Sequence, residues 1–126
     1  MNNLEIEIFG RKFNLDIIYD CFDNEKITEI QRDTFLNFIS QKNILLEKAQ
    51  QKLKEYLSIN YKAQIGNDVD NIFRYIKPQY VYIKRSVTQE RVIALLCSFK
   101  FDLEHGLAII IKNEKEFLIG AQDIIL

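Results

Sequence analysis

Tryptophan is absent from this 126-residue chain, and proline, histidine and methionine occur once each, cysteine twice and glycine four times. So little proline and glycine excludes collagen-like, linker-rich and low-complexity architecture. One histidine and two cysteines leave little material for a metal site or a nucleophile–base pair. No glycine-rich phosphate loop, Walker-type lysine, GxSxG elbow or CxxC pair is present, which removes the commonest nucleotide, hydrolase and redox signatures. Neither sign of charge dominates: 17 basic residues stand against 18 acidic ones, a net charge of −1. That balance argues against a nucleic-acid clamp. Long apolar runs are missing too, so no membrane span is expected. The opening residues place Glu5 and Glu7 ahead of any apolar run, unlike a signal peptide, and a cytoplasmic location is expected.

What is present suits one soluble domain spanning residues 1–126, with 48% apolar and 28% charged residues. Cys21 and Cys97 are far apart in sequence and sit in apolar surroundings, so two buried free thiols are expected in a cytosolic protein. Residues 4–22 alternate: Leu4, Ile6 and Ile8 against Glu5 and Glu7, then Phe13, Leu15, Ile17 and Tyr19 against Asn14, Asp16 and Asp20. Period-two alternation predicts a hairpin with one face in water, turning at Gly10-Arg11-Lys12.

Residues 28–76 change to helical spacing. Thr28 is placed to cap a first helix carrying Ile30, Phe35, Phe38 and Ile39 on one face. A second helix is predicted from about Asn43, with Leu45, Ala49, Leu53, Tyr56 and Leu57 at three- and four-residue steps. Asp68 is read as the cap of a short third helix through Ile72, Phe73 and Ile76, stopped by Pro78. Strands follow at Tyr80–Ile83, Val92–Phe101, Leu107–Ile111 and Phe117–Ile119, separated by polar turns. Val92–Cys97 and Leu107–Ile111 are apolar on both faces and belong at the sheet centre. The predicted fold is α+β: an N-terminal β-hairpin, two to three helices and a C-terminal antiparallel β-meander, with the helices on one face of the sheet. A loop, a subunit or a partner is left to cover the other face.

The near-neutral total hides segregation. Residues 1–33 carry −4, residues 34–100 carry +6 and residues 101–126 carry −3. Asp16, Asp20, Asp23 and Glu25, with no base among residues 13–25, form the densest acidic run. It reads either as a solvated strand edge or as a surface for a basic partner. Lys84, Arg85 and Arg91 beside Tyr80 and Tyr82 read as edge protection or as a phosphate-and-base platform. His105 within Asp102-Leu103-Glu104-His105-Gly106 reads as a β-turn or as a general base oriented by Glu104 or Asp102. A metal set of Asp102, Glu104, His105 and Asp123 lacks established ligand spacing. Asp68 and Asp70 lack the glycine and bidentate glutamate of a calcium loop.

The run Phe101-Asp102-Leu103-Glu104-His105-Gly106-Leu107-Ala108-Ile109, followed by Gly120-Ala121-Gln122-Asp123, resembles the C-terminal signature of a family of short bacterial domains of unknown function. Phe9-Gly10-Arg11-Lys12 and Ile27-Thr28-Glu29-Ile30-Gln31 match that family's opening hairpin turn and the start of its helical middle. Phe101 stands where the family more often has Trp, and Leu103 where it often has Pro. The resemblance implies an association with polymorphic and contact-dependent toxin systems, whose immunity proteins bind one cognate toxin domain. It assigns no catalytic residues. The expectation is therefore a non-enzymatic immunity protein whose partner is a cognate toxin domain, with no cofactor, metal, membrane or nucleic acid. Its recognition surface is placed at Asp16, Asp20, Asp23 and Glu25, or at Glu104 and His105. The alternative is a small enzyme or ligand-binding domain using His105 with Glu104 or Asp102. The oligomeric state is open, and a dimer is compatible.

Overall fold

The computed structural model describes residues 3–125. Asn3–Ile8 (β1) and Arg11–Tyr19 (β2) form the expected hairpin, with Leu4 opposite Leu15 and Ile6 opposite Phe13. The turn is Phe9-Gly10, one step earlier than the sequence suggested, because Arg11 already pairs with Ile8. Both turn residues have positive φ, 52° and 84°, as a two-residue hairpin loop needs to match strand twist. Phe9 adopts that conformation with its ring 6.3 Å from Phe73.

Two long helices follow. Glu29–Ser40 (α1) begins at a capping box: the Gln31 amide donates to the Thr28 hydroxyl at 3.1 Å, and the Thr28 amide donates to Gln31 Oε1 at 3.0 Å. Lys42–Asn60 (α2) buries Leu45, Ala49, Leu53 and Leu57 of the predicted stripe together with Leu46, and leaves Tyr56 half-buried. The expected third helix over residues 68–76 does not form. Instead Lys62–Ile65 (α3) makes a single turn ending at Gly66, and Ile72–Arg74 forms a 3-10 turn. Residues 67–71 hold too few apolar side chains to bury a helical face, and Ile76 is drawn into the sheet.

Strand Ile76–Ile83 (β3) therefore starts four residues before the predicted point and contains Pro78. Proline is tolerated there because the β3 register shifts between Pro78 and Tyr80, and β2 pairs with β3 only from Tyr80 onward. Val92–Phe99 (β4), Leu107–Lys112 (β5) and Glu116–Gly120 (β6) complete the antiparallel meander. The six strands lie in sequence order, and β2 runs parallel to β3. A parallel pair needs a crossover, and the helical block supplies it.

One face of the sheet packs against the helices in a core that includes Leu15, Val81, Leu95, Ile109, Phe38 and Leu53. A second cluster on the opposite face joins Tyr82, Val92, Ala94, Leu96, Ala108 and Ile110 to Ile125. The cover for that face is the chain's own C-terminal segment, a 3-10 turn at Gln122–Ile124 that lays Ile125 against the sheet. No helix among the described residues is long and apolar enough to cross a membrane.

Candidate functional site

The two predicted recognition surfaces lie at opposite ends of the sheet. Tyr19 at the end of β2 pairs with Ile83 at the end of β3, which pairs with Ile93 near the start of β4. Asp20, Asp23 and Glu25 follow directly from this end. The Asp102–Gly106 turn joins β4 to β5 at the other, where Phe99 pairs with Ile76.

At the first end, the loop of residues 20–28 is held from two sides. The Gln31 side chain, fully buried, donates from Nε2 to the Asp20 carbonyl at 3.1 Å and to the Ile83 carbonyl at 3.2 Å. It thereby fastens the helix start, the loop start and the end of β3 together. From the facing β3–β4 loop, Arg85 donates to the Lys26 carbonyl at 2.9 Å and lies 3.4 Å from Glu25 Oε2. The Arg85 amide donates to Asp20 Oδ2 at 3.3 Å, and Glu25 Oε1 accepts from the Phe22 amide at 2.8 Å. Each of these contacts removes freedom from the loop before any partner arrives.

The four predicted acids consequently do different things. Asp20 and Glu25 hold the loop in shape, and Asp23 stands exposed at its tip. Asp16 lies on the helix-free face of β2, in the row that continues through Tyr80 and Leu96. Burial, then the neighbouring Asp20 carboxylate, pushes the Tyr82 hydroxyl up to about 12. The sequence reading missed Phe22, which is 80% exposed, and the fully exposed Val87 two residues beyond Arg85. A lone aromatic inside the polar stretch from Cys21 to Lys26 was the available signal. Residues 21–25 also line a broad, shallow cleft of about 540 Å³.

Cys21 is half-buried and Cys97 buried, and both are free. Cys21 sits in polar rather than apolar surroundings, 3.5 Å from Arg85 Nη1 and 3.6 Å from Gln31 Oε1. Arg91 makes a two-pronged contact with Glu114, Nε to Oε2 and Nη2 to Oε1, each at 3.0 Å. Its amide donates to Asn113 Oδ1 at 2.9 Å. These bonds hold Asn113 and Glu114 at positive φ in the β5–β6 turn, a conformation that disfavours residues with a Cβ. Arg85 and Arg91 are thus committed to carboxylates of this chain.

At the other end, Asp102 Oδ1 accepts from the His105 amide at 3.1 Å and lies 3.1 Å from His105 Nδ1. The Gly106 amide donates to the Asp102 carbonyl at 2.9 Å. The His105 amide bond holds the Asp102 carboxyl below its ordinary range, and Asp102 in turn raises the His105 imidazole. The ring is half-exposed, and its hydrogen-bond partner among the described residues is Asp102. Asp102, His105 and the turn backbone form a closed local network. Among the described residues, no three His, Cys, Asp or Glu side chains cluster so as to hold a metal ion.

Gly106 ties this turn to the C-terminal segment. Its φ is 63°, and a Cβ there would meet the Cys97 carbonyl at 2.7 Å and Gln122 Nε2 at 2.5 Å. Gln122 Nε2 donates to that same carbonyl at 3.0 Å, and the Gln122 amide donates to the His105 carbonyl at 3.1 Å. The two stretches that carried the sequence resemblance, Phe101–Ile109 and Gly120–Asp123, therefore meet in space.

A family model described as a domain of unknown function, DUF6985, matches residues 1–126. The chain belongs to that family. The match runs from the β1–β2 hairpin through the C-terminal segment, so the whole six-stranded arrangement falls within DUF6985. Comparison with curated proteins and with solved structures finds no match.

Proposed function

We propose that this chain is a non-enzymatic binding protein that docks onto a cognate bacterial toxin domain and neutralises it. The observation that carries the reading is the loop of residues 20–28, locked by Arg85 and Gln31 yet presenting Phe22 and Asp23 outward. A loop ordered before binding avoids part of the entropic cost of association. A projecting aromatic is the kind of side chain that dominates interface energies, and the exposed Asp23 carboxylate beside it favours encounter with a basic surface. The association of the family it resembles with toxin–immunity systems supplies the partner class.

The competing reading, an enzyme or ligand-binding domain built on His105, draws less support. The Asp102–His105 pair is accounted for by the turn it closes, and no nucleophile is hydrogen-bonded to the ring among the described residues.

Co-expression of the chain with candidate toxin domains taken from neighbouring reading frames tests the proposal. Protection of the host is expected from the wild-type chain and from a Glu104→Ala/His105→Ala variant. It is expected to be lost with Asp20, Asp23 and Glu25 reversed to Lys. Full protection by the reversed variant would remove this surface from the account, and absence of protection by the wild type would remove the toxin reading.

A further inference from the structure

The helix-free face of the sheet holds a small cleft lined by apolar side chains together with Lys84, Ser86, Glu90 and Lys112, and neither the fold nor the proposed partner explains it. Val92 and Ile110 on adjacent strands, Leu118 on β6, and Ile124 and Ile125 of the C-terminal segment supply its apolar lining. Its volume is about 140 Å³. An engineered apolar cavity of roughly 150 Å³ accommodates benzene, so this space suits one aromatic ring or one branched aliphatic group. Lys84 and Lys112 line it with the carboxylate of Glu90, and Glu116 stands opposite Lys112 in the β5–β6 register. Among the described residues neither lysine takes part in an ion pair, whereas Arg85 and Arg91 alongside them do.

The wall made by the C-terminal segment is held in place by the chain itself. Gln122 is bonded to the carbonyls of Cys97 and His105, and Ile125 is 2% exposed. Gly120 leaves the space into which Ile124 folds back, since a Cβ at that position would lie 2.9 Å from Ile124 Cδ1. The glycines and glutamine that anchor the segment thus shape a cleft that exists before any ligand enters.

We infer that this cleft is a binding site for a small apolar monocarboxylate, of the size of benzoate or a branched-chain acid, with its hydrocarbon against Ile110 and Leu118 and its carboxylate between Lys84 and Lys112. Lys84 and Ser86 flank Arg85, so the site borders the loop clamp, but its test requires no protein partner, and its failure and that of the toxin reading are separable.

The probes are benzoate, its neutral isostere benzamide and the cation benzylamine. Titration of the full chain is followed by the methyl resonances of Ile110, Leu118 and Ile124. Benzoate is expected to shift those methyls with a dissociation constant on the order of a millimolar, within what nine heavy atoms can supply. Benzamide should bind at least threefold more weakly and benzylamine not measurably. Lys84→Met/Lys112→Met should weaken benzoate by about threefold to tenfold, the range for partly exposed charge pairs. Gly120→Ala, which displaces the Ile124 wall, should weaken benzoate and benzamide alike. Equal affinity for benzoate and benzamide, indifference to the lysine changes, or shifts scattered away from the cleft would each overturn the inference. Methyls that stay unshifted at 10 mM benzoate (an amount on the order of ten times the expected constant) would mean the chain itself fills the space, and would overturn it too.

Discussion

Replacing Gln31 by leucine removes a side chain of similar size that is fully buried and bonded to three backbone groups. The Asp20 carbonyl and the Thr28 amide lose the partner that Gln31 supplies. The Ile83 carbonyl fares better, because it also accepts from the Asp20 amide at 3.0 Å. A buried backbone group left unpaired costs about 1–3 kcal/mol, so two full losses and one partial loss come to about 4 kcal/mol. The more apolar leucine returns about 1 kcal/mol. The net loss is about 3 kcal/mol, or a fall in Tm of roughly 10 °C for a chain of this length. Urea unfolding measures it directly, and hydrogen exchange should show the loosening concentrated in residues 20–28. Gln31→Glu adds a sign test. A carboxylate facing two carbonyls is disfavoured in its charged form, so its folded pKa rises above its unfolded value. A group shifted in that direction loses stability as pH rises through the unfolded pKa, so this variant should be weaker at pH 7 than at pH 4, relative to wild type. A Gln31→Leu protein within 1 kcal/mol of wild type would refute the idea that Gln31 joins helix, loop and strand.

Four further outcomes follow. Arg85→Met should cost only about 1 kcal/mol, because its ion pair is partly exposed, yet it should speed amide exchange at residues 21–26, and unchanged exchange would contradict the clamp. Gly106→Ala should cost about 2–4 kcal/mol in urea unfolding, from positive φ and the displaced Gln122 contacts, whereas wild-type stability would show that the turn does not need glycine. In NMR titration the His105 pKa should lie above 6.5 and fall toward it in Asp102→Asn. Because the folded-state pKa is raised, the pair's contribution is full below the unfolded value and lost as pH rises through the folded one, so Asp102→Asn should cost more at pH 5.5 than at pH 9, where only the carboxylate's bond from the His105 amide is weakened. Thiol labelling should find Cys21 reactive and Cys97 silent until unfolding, since burial pushes the Cys97 thiol up to about 12.

Much of the fold is written in local patterns. Alternation through Leu4, Ile6 and Ile8 places β1, the three- and four-residue steps from Leu45 to Leu57 place α2, and the unbroken apolar runs mark β4 and β5 as interior strands, although β5 lies one in from the edge rather than at the centre. The elements that departed from expectation depend on partners distant in sequence. Proline at position 78 reads as a helix stop until a strand irregularity and a missing neighbour make room for it. Parallel pairing of β2 with β3 leaves no local trace at all. The candidate site divides in the same way. The acids of residues 16–25 are visible as a charge run, but the tasks of Asp20 and Glu25 depend on Arg85, 65 and 60 residues away along the chain. The Thr28–Gln31 capping box is a legible four-residue pattern, whereas the bond from Gln31 to Ile83, 52 residues on, is not. The glycine of the Glu104-His105-Gly106 stretch likewise gains its meaning only when Gln122 is seen against it.

In the proposed function, the Arg85-locked loop is the surface through which this chain binds a toxin domain. Calorimetric titration of that toxin domain into wild-type chain and into Phe22→Ala/Asp23→Lys tests it most directly, because both positions are exposed and neither holds the fold. Loss of an interface anchor costs at least about 2 kcal/mol, so the account predicts a fall in affinity of about thirtyfold or more with no change in Tm. Undiminished affinity in the double variant would contradict it.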